Sequence, residues 1–249
     1  MSSIQLSTSD LWQNYQVATD EVDKLIEKGS EKWPASFTQH YFKDEEFAAC
    51  ENWLSQLEQS GIENLVVIGM GGSSLGAKAL QCFYGSGKRA VHFLEGTHPQ
   101  VFAQLKSQLN PQKSAVLFIS KSGGTLESRS QLELIRQHFV GISEYYITSN
   151  PDKIADIVQD ESNVFAIPTE LGGRFSIVSP VGILPGLFMG ADMVDFMQGF
   201  KSGLTDFAIN KPLAENPAKK FSLDIVSHFN GQYDGLVFWV YSAEMLMWV

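Results

Sequence analysis

The chain has 249 residues, 44% hydrophobic and 18% charged, with a formal net charge of -10. That acidity excludes the basic face that nucleic acid or an anionic membrane surface requires, and the apolar stretches break at Gly, Pro or charge short of the ~18–20 residues of a membrane-spanning helix. A soluble globular chain with core enough for one large domain or two small ones is the expectation.

The opening MSSIQLSTSD has neither a basic n-region nor an apolar h-region, so no secretory signal is legible and a cytoplasmic location is expected. DLWQNYQVATDEVDKLIEKG places Leu11, Tyr15, Val22, Leu25 and Ile26 at helical spacing, and KDEEFAACENWLSQLEQSG repeats the pattern up to Gly61. Residues 1–61 therefore read as a helical N-terminal segment. Cys50 and Cys82 form no framework; both stand in apolar helical context, where a buried free thiol in a reducing compartment is expected.

From residue 62 the period changes. Strands at Leu65–Gly69, Val91–Leu94, Ala115–Ser120, Tyr145–Thr148 and Val164–Ile167 alternate with helices near Leu75–Tyr84, Pro99–Leu109, Leu126–Phe139 and Asp152–Gln159. Such alternation predicts an α/β fold over residues 62–190, a doubly wound parallel five-stranded sheet flanked by helices. From Ser179 to about Asn230 the pattern is helical again, with Pro180 and Pro185 marking breaks. The end, DGLVFWVYSAEMLMWV, reads as a buried strand at Leu236–Tyr241 followed by an apolar run to Val249 without a polar tail. Residues 191–249 are read as a helical connection and the beginning of a second subdomain, and the chain as an N-terminal fragment of a longer protein.

Two glycine-rich turns carry the chemistry. After the first strand comes Gly69-Met70-Gly71-Gly72-Ser73-Ser74, opening a helix near Leu75 whose free N–H groups and dipole favour an anion. The dinucleotide fingerprint G-x-G-x-x-G needs Gly where Ser74 stands, although Glu95 lies roughly where a ribose-binding acid would. The pattern G-x-x-x-x-G-K-[ST] starts at Gly71 and reaches Gly76, but then meets Ala77 and Lys78, one residue out of register. Tight strand-to-helix packing alone also explains such glycines. The second turn, Ser120-Lys121-Ser122-Gly123-Gly124-Thr125, brings three hydroxyls and another helix N-terminus to the C-terminal end of a central strand, where open α/β sheets place their ligands. Capping explains one hydroxyl, not three. Neutral donors of this kind suit a sugar phosphate that must be released after each turnover.

Three stretches, IGMGGSSLG (68–76), ISKSGGTLES (119–128) and LGGRFSIVSPVG (171–182), together resemble the glucose-6-phosphate isomerase family, whose fold is a pair of sugar-isomerase (SIS) subdomains. The first two are shared more loosely with other SIS proteins; the third is specific to the isomerases. The resemblance implies that Ser120, Ser122 and Thr125 hold the phosphate with Lys121 beside it. Gly71, Gly72 and Ser73 then line the sugar side. Arg174, preceded by Gly173 in the substrate-binding set, stands by C1 and C2 and stabilises the cis-enediolate. Two departures stand out: Ser74 where the family often has Asp, and SGGT in place of a bulkier Thr- or Phe-containing form, which suggests a compact bacterial-type branch or relaxed sugar choice. The family's catalytic Glu, His and Lys motifs do not occur before Val249, so this fragment alone is expected to be inactive.

The five histidines, His40, His92, His98, His138 and His228, show no metal-ligand spacing, and Glu127 in the first turn of its helix favours the dipole. The resemblance implies reversible isomerisation of glucose 6-phosphate to fructose 6-phosphate, an aldose–ketose reaction of glycolysis and gluconeogenesis, with a hexose 6-phosphate as substrate, a homodimer, and no metal or cofactor. Three other readings stay open: a non-catalytic SIS module that senses a sugar phosphate, a phosphomannose or dual-specificity isomerase, and a dinucleotide oxidoreductase using Glu95.

Overall fold

The computed structural model describes residues 44–228 without 86, 88 and 209, together with the single positions 24, 237 and 240. The helix expected over residues 11–26 therefore lies outside the described residues but for position 24, and the strand expected at Leu236–Tyr241 does so but for two positions. Residues 44–193 belong to one compact unit and residues 194–228 to a second.

The first unit is built on five parallel strands: β1 (Asn64–Ile68), β2 (Ala90–Leu94), β3 (Ser114–Ile119), β4 (Ser143–Thr148) and β5 (Val164–Ala166), in the order β2-β1-β3-β4-β5. The central runs are apolar because both faces are covered: all six residues of β3 are buried, whereas the short edge strand β5 is half exposed. Helix α1 (Asp44–Gln59) presents Cys50, Trp53 and Leu57 to the core and collects Asp44, Glu45 and Glu46 in its first turn, where acids meet the positive end of the dipole. Helices α2 (Leu75–Tyr84), α3 (Pro99–Gln108), α4 (Leu126–His138) and α5 (Pro180–Met189) complete the layers. On one face, Val66, Ile68, Val116, Phe118 and Tyr146 pack with Phe102 and Leu105 of α3 and Leu132 and Ile135 of α4. Strand alternation sends Leu65, Val67, Leu117 and Tyr145 to the other face, where α1, α2 and α5 pack together and Trp53 meets Tyr145 edge-on at 5.7 Å. The expected α/β class, a doubly wound parallel five-stranded sheet flanked by helices, is what the structure shows.

Three expectations need correction. The helix expected at Asp152–Gln159 is a 3-10 turn, Pro151–Lys153, followed by non-helical turns. Its carbonyls are drawn outward instead: Lys153 O accepts from Arg129, and Ile157 O from Arg136. Pro185 breaks nothing, since α5 runs through it to Gly190, which closes the helix at φ 86°. Nearly every residue of α5 is buried, and tertiary packing holds the helix despite the missing hydrogen bond. Cys82 is exposed, on the face of α2 that also exposes Leu75 seven residues earlier, while Cys50 is buried as expected, and burial pushes its thiol up to about 12.

The second unit holds α6 (Met193–Asp206), a 3-10 turn at Leu213–Glu215 and α7 (Pro217–His228). Asn216 caps α7, its Oδ1 accepting from the N–H groups of Ala218 at 3.0 Å and Lys219 at 3.1 Å.

One buried polar cluster braces β4 against α4. Arg136 donates to both Glu144 oxygens, at 2.9 and 2.7 Å, while the Tyr146 hydroxyl donates to Glu144 as well. Glu144 is almost wholly buried, so removing one partner strands a charge. Glu144→Ala is expected to cost about 3 kcal/mol in urea unfolding. Burial, and then the bond to Glu144, pushes Tyr146 up to about 12 from 10.0. The folded state thus keeps the Tyr146 proton longer, which favours folding below pH 10.0 and is lost as pH rises through about 12. Tyr146→Phe is expected to flatten the alkaline loss of stability across that window, measured by the same unfolding curves.

Candidate functional site

All five strands end on the same edge of the sheet, and β1 and β3 are neighbours whose following helices, α2 and α4, pack on opposite faces. At such a reversal of strand order the two outgoing turns diverge and leave a crevice at the carboxyl ends. Both glycine-rich turns open there.

The first turn leaves β1 through Gly69 and Met70 and coils into a 3-10 helix, Gly71–Ser73, with Gly71 at φ +57°. Ser74 is buried and its hydroxyl donates to Gly71 O at 3.2 Å, so the residue that departs from the family pattern holds the turn closed. A Cβ on Gly72 would lie 2.5 Å from the carbonyl carbon of Gly173, which means that two bare backbones touch. The Ser176 hydroxyl fastens that contact, lying 3.0 Å from Gly72 O and 2.7 Å from Gly173 O. Arg174 follows in the 3-10 helix Gly173–Val178 and is exposed. Of the four arginines, Arg89, Arg129 and Arg136 carry carboxylate partners; Arg174 has none among the described residues.

The second turn leaves β3. Ser120 is 2% exposed, and its hydroxyl lies 3.1 Å from that of Thr125. Thr125 stands at the N-cap of α4 but makes no side-chain capping bond. Gly123, at φ +72°, packs against Lys153 and Ile154 so closely that a Cβ would meet them at 2.9 and 3.0 Å. Arg129, one turn into α4, locks this arrangement: it donates to Gly123 O at 3.0 Å and to Lys153 O, and grips Asp156 at 2.7 and 3.0 Å. That grip holds the Asp156 carboxyl below its ordinary range and raises the guanidinium.

Between the turns lies an open pocket of about 370 Å³ lined by Ser73, Lys121, Ser122, Thr125, Ser149, Asn150 and Thr169. Every lining residue is polar, Lys121 is the one charged group among them, and none is a carboxylate or imidazole. Such a wall can hold a small anion or a phosphorylated polyol, while a general base must come from elsewhere. Of the residues singled out in the sequence, Ser73, Lys121, Ser122 and Thr125 meet on the pocket. Ser120 sits beneath it, bonded to Thr125, and Gly71, Gly72, Gly173 and Arg174 lie beside Ser73 on the joined turns rather than on the pocket wall. Sequence reasoning missed Ser149, Asn150 and Thr169, which stand just past the ends of β4 and β5. The signal was available: in a parallel sheet, polar residues directly after any strand face the ligand edge.

The other candidates are committed elsewhere. Glu95 forms an ion pair with Lys78, which also lies 5.5 Å from the Phe93 ring. His92 bonds Asn64 at 3.1 Å and burial lowers its pKa; His138 bonds Leu134 O at 2.9 Å. His40 lies outside the described residues, and among those described no group of three His, Cys, Asp or Glu could hold a metal ion. Nor is any described helix long and apolar enough to cross a membrane.

Comparison with known proteins supplies independent findings. The family model for phosphoglucose isomerase matches residues 40–236. The glucose-6-phosphate isomerase of Thermus thermophilus is 34% identical over 200 residues, covering 74% of this chain and 46% of that protein. The enzyme of the same name from Enterococcus faecalis is 30% identical over 258 residues, covering 89% and 57%. A solved glucose-6-phosphate isomerase from Chlamydia trachomatis superposes with a TM-score of 0.64 at 28% identity, over 76% of this chain and 38% of that one. The chain thus spans about half the length of the curated relatives it matches.

The two turns make opposite demands on their glycines. Gly72→Ala drives a methyl into fixed backbone and is expected to cost about 1–3 kcal/mol or more. Gly124→Ala meets open space and should stay within about 0.5 kcal/mol of the parent. Urea unfolding of both variants checks the contrast.

Proposed function

This chain belongs to the phosphoglucose isomerase family, and on that premise we propose that the full-length gene product interconverts glucose 6-phosphate and fructose 6-phosphate through an enediol(ate). The observation that carries the proposal is the polar pocket at the β1/β3 reversal, with Lys121 and five hydroxyl-bearing residues on its wall, and on the adjoining stretch Arg174, which has no carboxylate partner among the described residues.

The proposed mechanism divides the work between the two turns. The phosphate sits against Lys121, Ser122 and Thr125, with Ser120 fixing the Thr125 hydroxyl from below. Holding the remote phosphate supplies binding energy that positions C1 and C2. Gly71, Gly72 and Ser73 take the sugar side, and the close Gly72 to Gly173 approach brings the Arg174 segment to the same side. A guanidinium without a carboxylate partner is free to stabilise charge that develops on the oxygens of the enediolate. The hydrogen shift is internal to the substrate, so the chemistry requires no redox cofactor. No pocket-lining residue can serve as the base, which the proposal assigns to the part of the protein not represented in this chain. A cytoplasmic homodimer acting in glycolysis and gluconeogenesis completes the proposal, supported by the family membership. A sugar-phosphate sensor needs the pocket but has no use for Arg174.

A coupled assay of fructose 6-phosphate conversion on the full-length gene product tests this. Arg174→Ala is expected to lower kcat by about 10²–10³-fold with KM changed little, the signature of lost transition-state stabilisation. A folded full-length protein that binds the sugar phosphate but never turns it over identifies a sensor instead.

A further inference from the structure

The Lys121 carbonyl oxygen is the node on which the second turn is fastened. It accepts from the Ser149 hydroxyl at 2.8 Å, the Asn150 side-chain amide at 3.1 Å, the Ser149 N–H at 3.2 Å and the Thr148 hydroxyl at 3.3 Å. All three donor residues come from the end of β4, and Thr148 Oγ1 in turn accepts from the Asn150 N–H at 3.1 Å. A carbonyl oxygen only accepts, which fixes the orientation of the Asn150 amide: its NH₂ must face Lys121, and the remaining hydrogen reaches Ser149 Oγ at 3.2 Å. Asn150 spends both its side-chain donors on holding the turn, and it lines the pocket at the same time.

We propose that Asn150 is a positioning residue for ligand phosphate. By tethering the Lys121 carbonyl it keeps the Lys121 cation and the Ser122 hydroxyl in place before the anion arrives, so that binding does not have to order the turn. The proposal rests on the sugar-phosphate reading of the pocket. Its chemistry demands an amide: a carboxylate of the same shape has no donor for the Lys121 carbonyl and sets a negative charge beside the anion. Among the described residues the Asn150 side chain bonds Lys121 and Ser149 alone, so its loss should disturb the turn and leave the sheet intact.

The experiment compares the full-length gene product with Asn150→Ala and the isosteric Asn150→Asp. It reads kcat and KM for fructose 6-phosphate, the Ki of inorganic phosphate, and the rise in melting temperature that inorganic phosphate produces. KM and phosphate Ki are expected to rise together, about tenfold for the Ala variant and about 100-fold for the Asp variant, with kcat within about twofold. Unchanged KM and Ki overturn the proposal, as does a fall in kcat at constant Ki. Should the parent protein turn over no sugar phosphate, the isomerase reading fails by itself, and the phosphate-induced melting shift across the same three proteins still decides the role of Asn150. If the Asp variant does not fold, Ser149→Ala removes the 2.8 Å bond and is expected to raise the same two constants by a smaller factor; no rise overturns the proposal.

Discussion

The reversal of strand order between β1 and β3 is the constraint on which the rest of the site depends. Because the strands are parallel, each must be followed by a crossover, and because those crossovers pack on opposite faces of the sheet, the turns beginning them separate at one edge. The backbone at that point leaves the strand ladder, and Ser73, Ser122 and Thr125 line the crevice it opens. A negatively charged protein can hold an anion there because the interaction is local: one lysine, a few hydroxyls and two helix N-termini suffice, and the net charge of -10 is spread elsewhere.

The polar groups around the crevice divide into those that hold it and those left for a ligand. Ser74, Ser120, Ser176 and Arg129 are spent on backbone oxygens, on Thr125 or on a single carboxylate. Lys121 and Arg174 have no carboxylate partner among the described residues. Both stand on segments whose backbones are tied down from behind.

The sheet was legible from the sequence because both its faces are buried, and an apolar run of four to six residues bounded by glycines has few other uses. What escaped was set by tertiary bonds. Asp152–Gln159 carries a helix-like pattern, yet Arg129 and Arg136 reach across and take its carbonyls. Pro185 is a local break signal, overridden by the burial of α5 on every side. Cys82 was assigned by the apolarity of its neighbours when the face of the helix was what mattered. Within the pocket, the first two turns announced themselves through glycines, whereas Ser149, Asn150 and Thr169 are ordinary loop residues whose importance comes from where β4 and β5 end. Ser120 shows the converse: a motif residue whose hydroxyl is buried against another residue of the same motif.

The touching backbones of Gly72 and Gly173 also join parts of the chain that are far apart in sequence. Ser176 reaches Gly72 across 104 positions of chain, and β2, β3, β4 and β5 all lie between them in sequence. The Ser120 to Thr125 turn is local and can close as soon as β3 is seated. Of the two turns, the arginine-bearing stretch closes by far the longer loop and carries the larger loop-closure entropy. The two halves of the crevice thus differ in kind: one is closed within six residues of chain, and the other joins segments over a hundred residues apart.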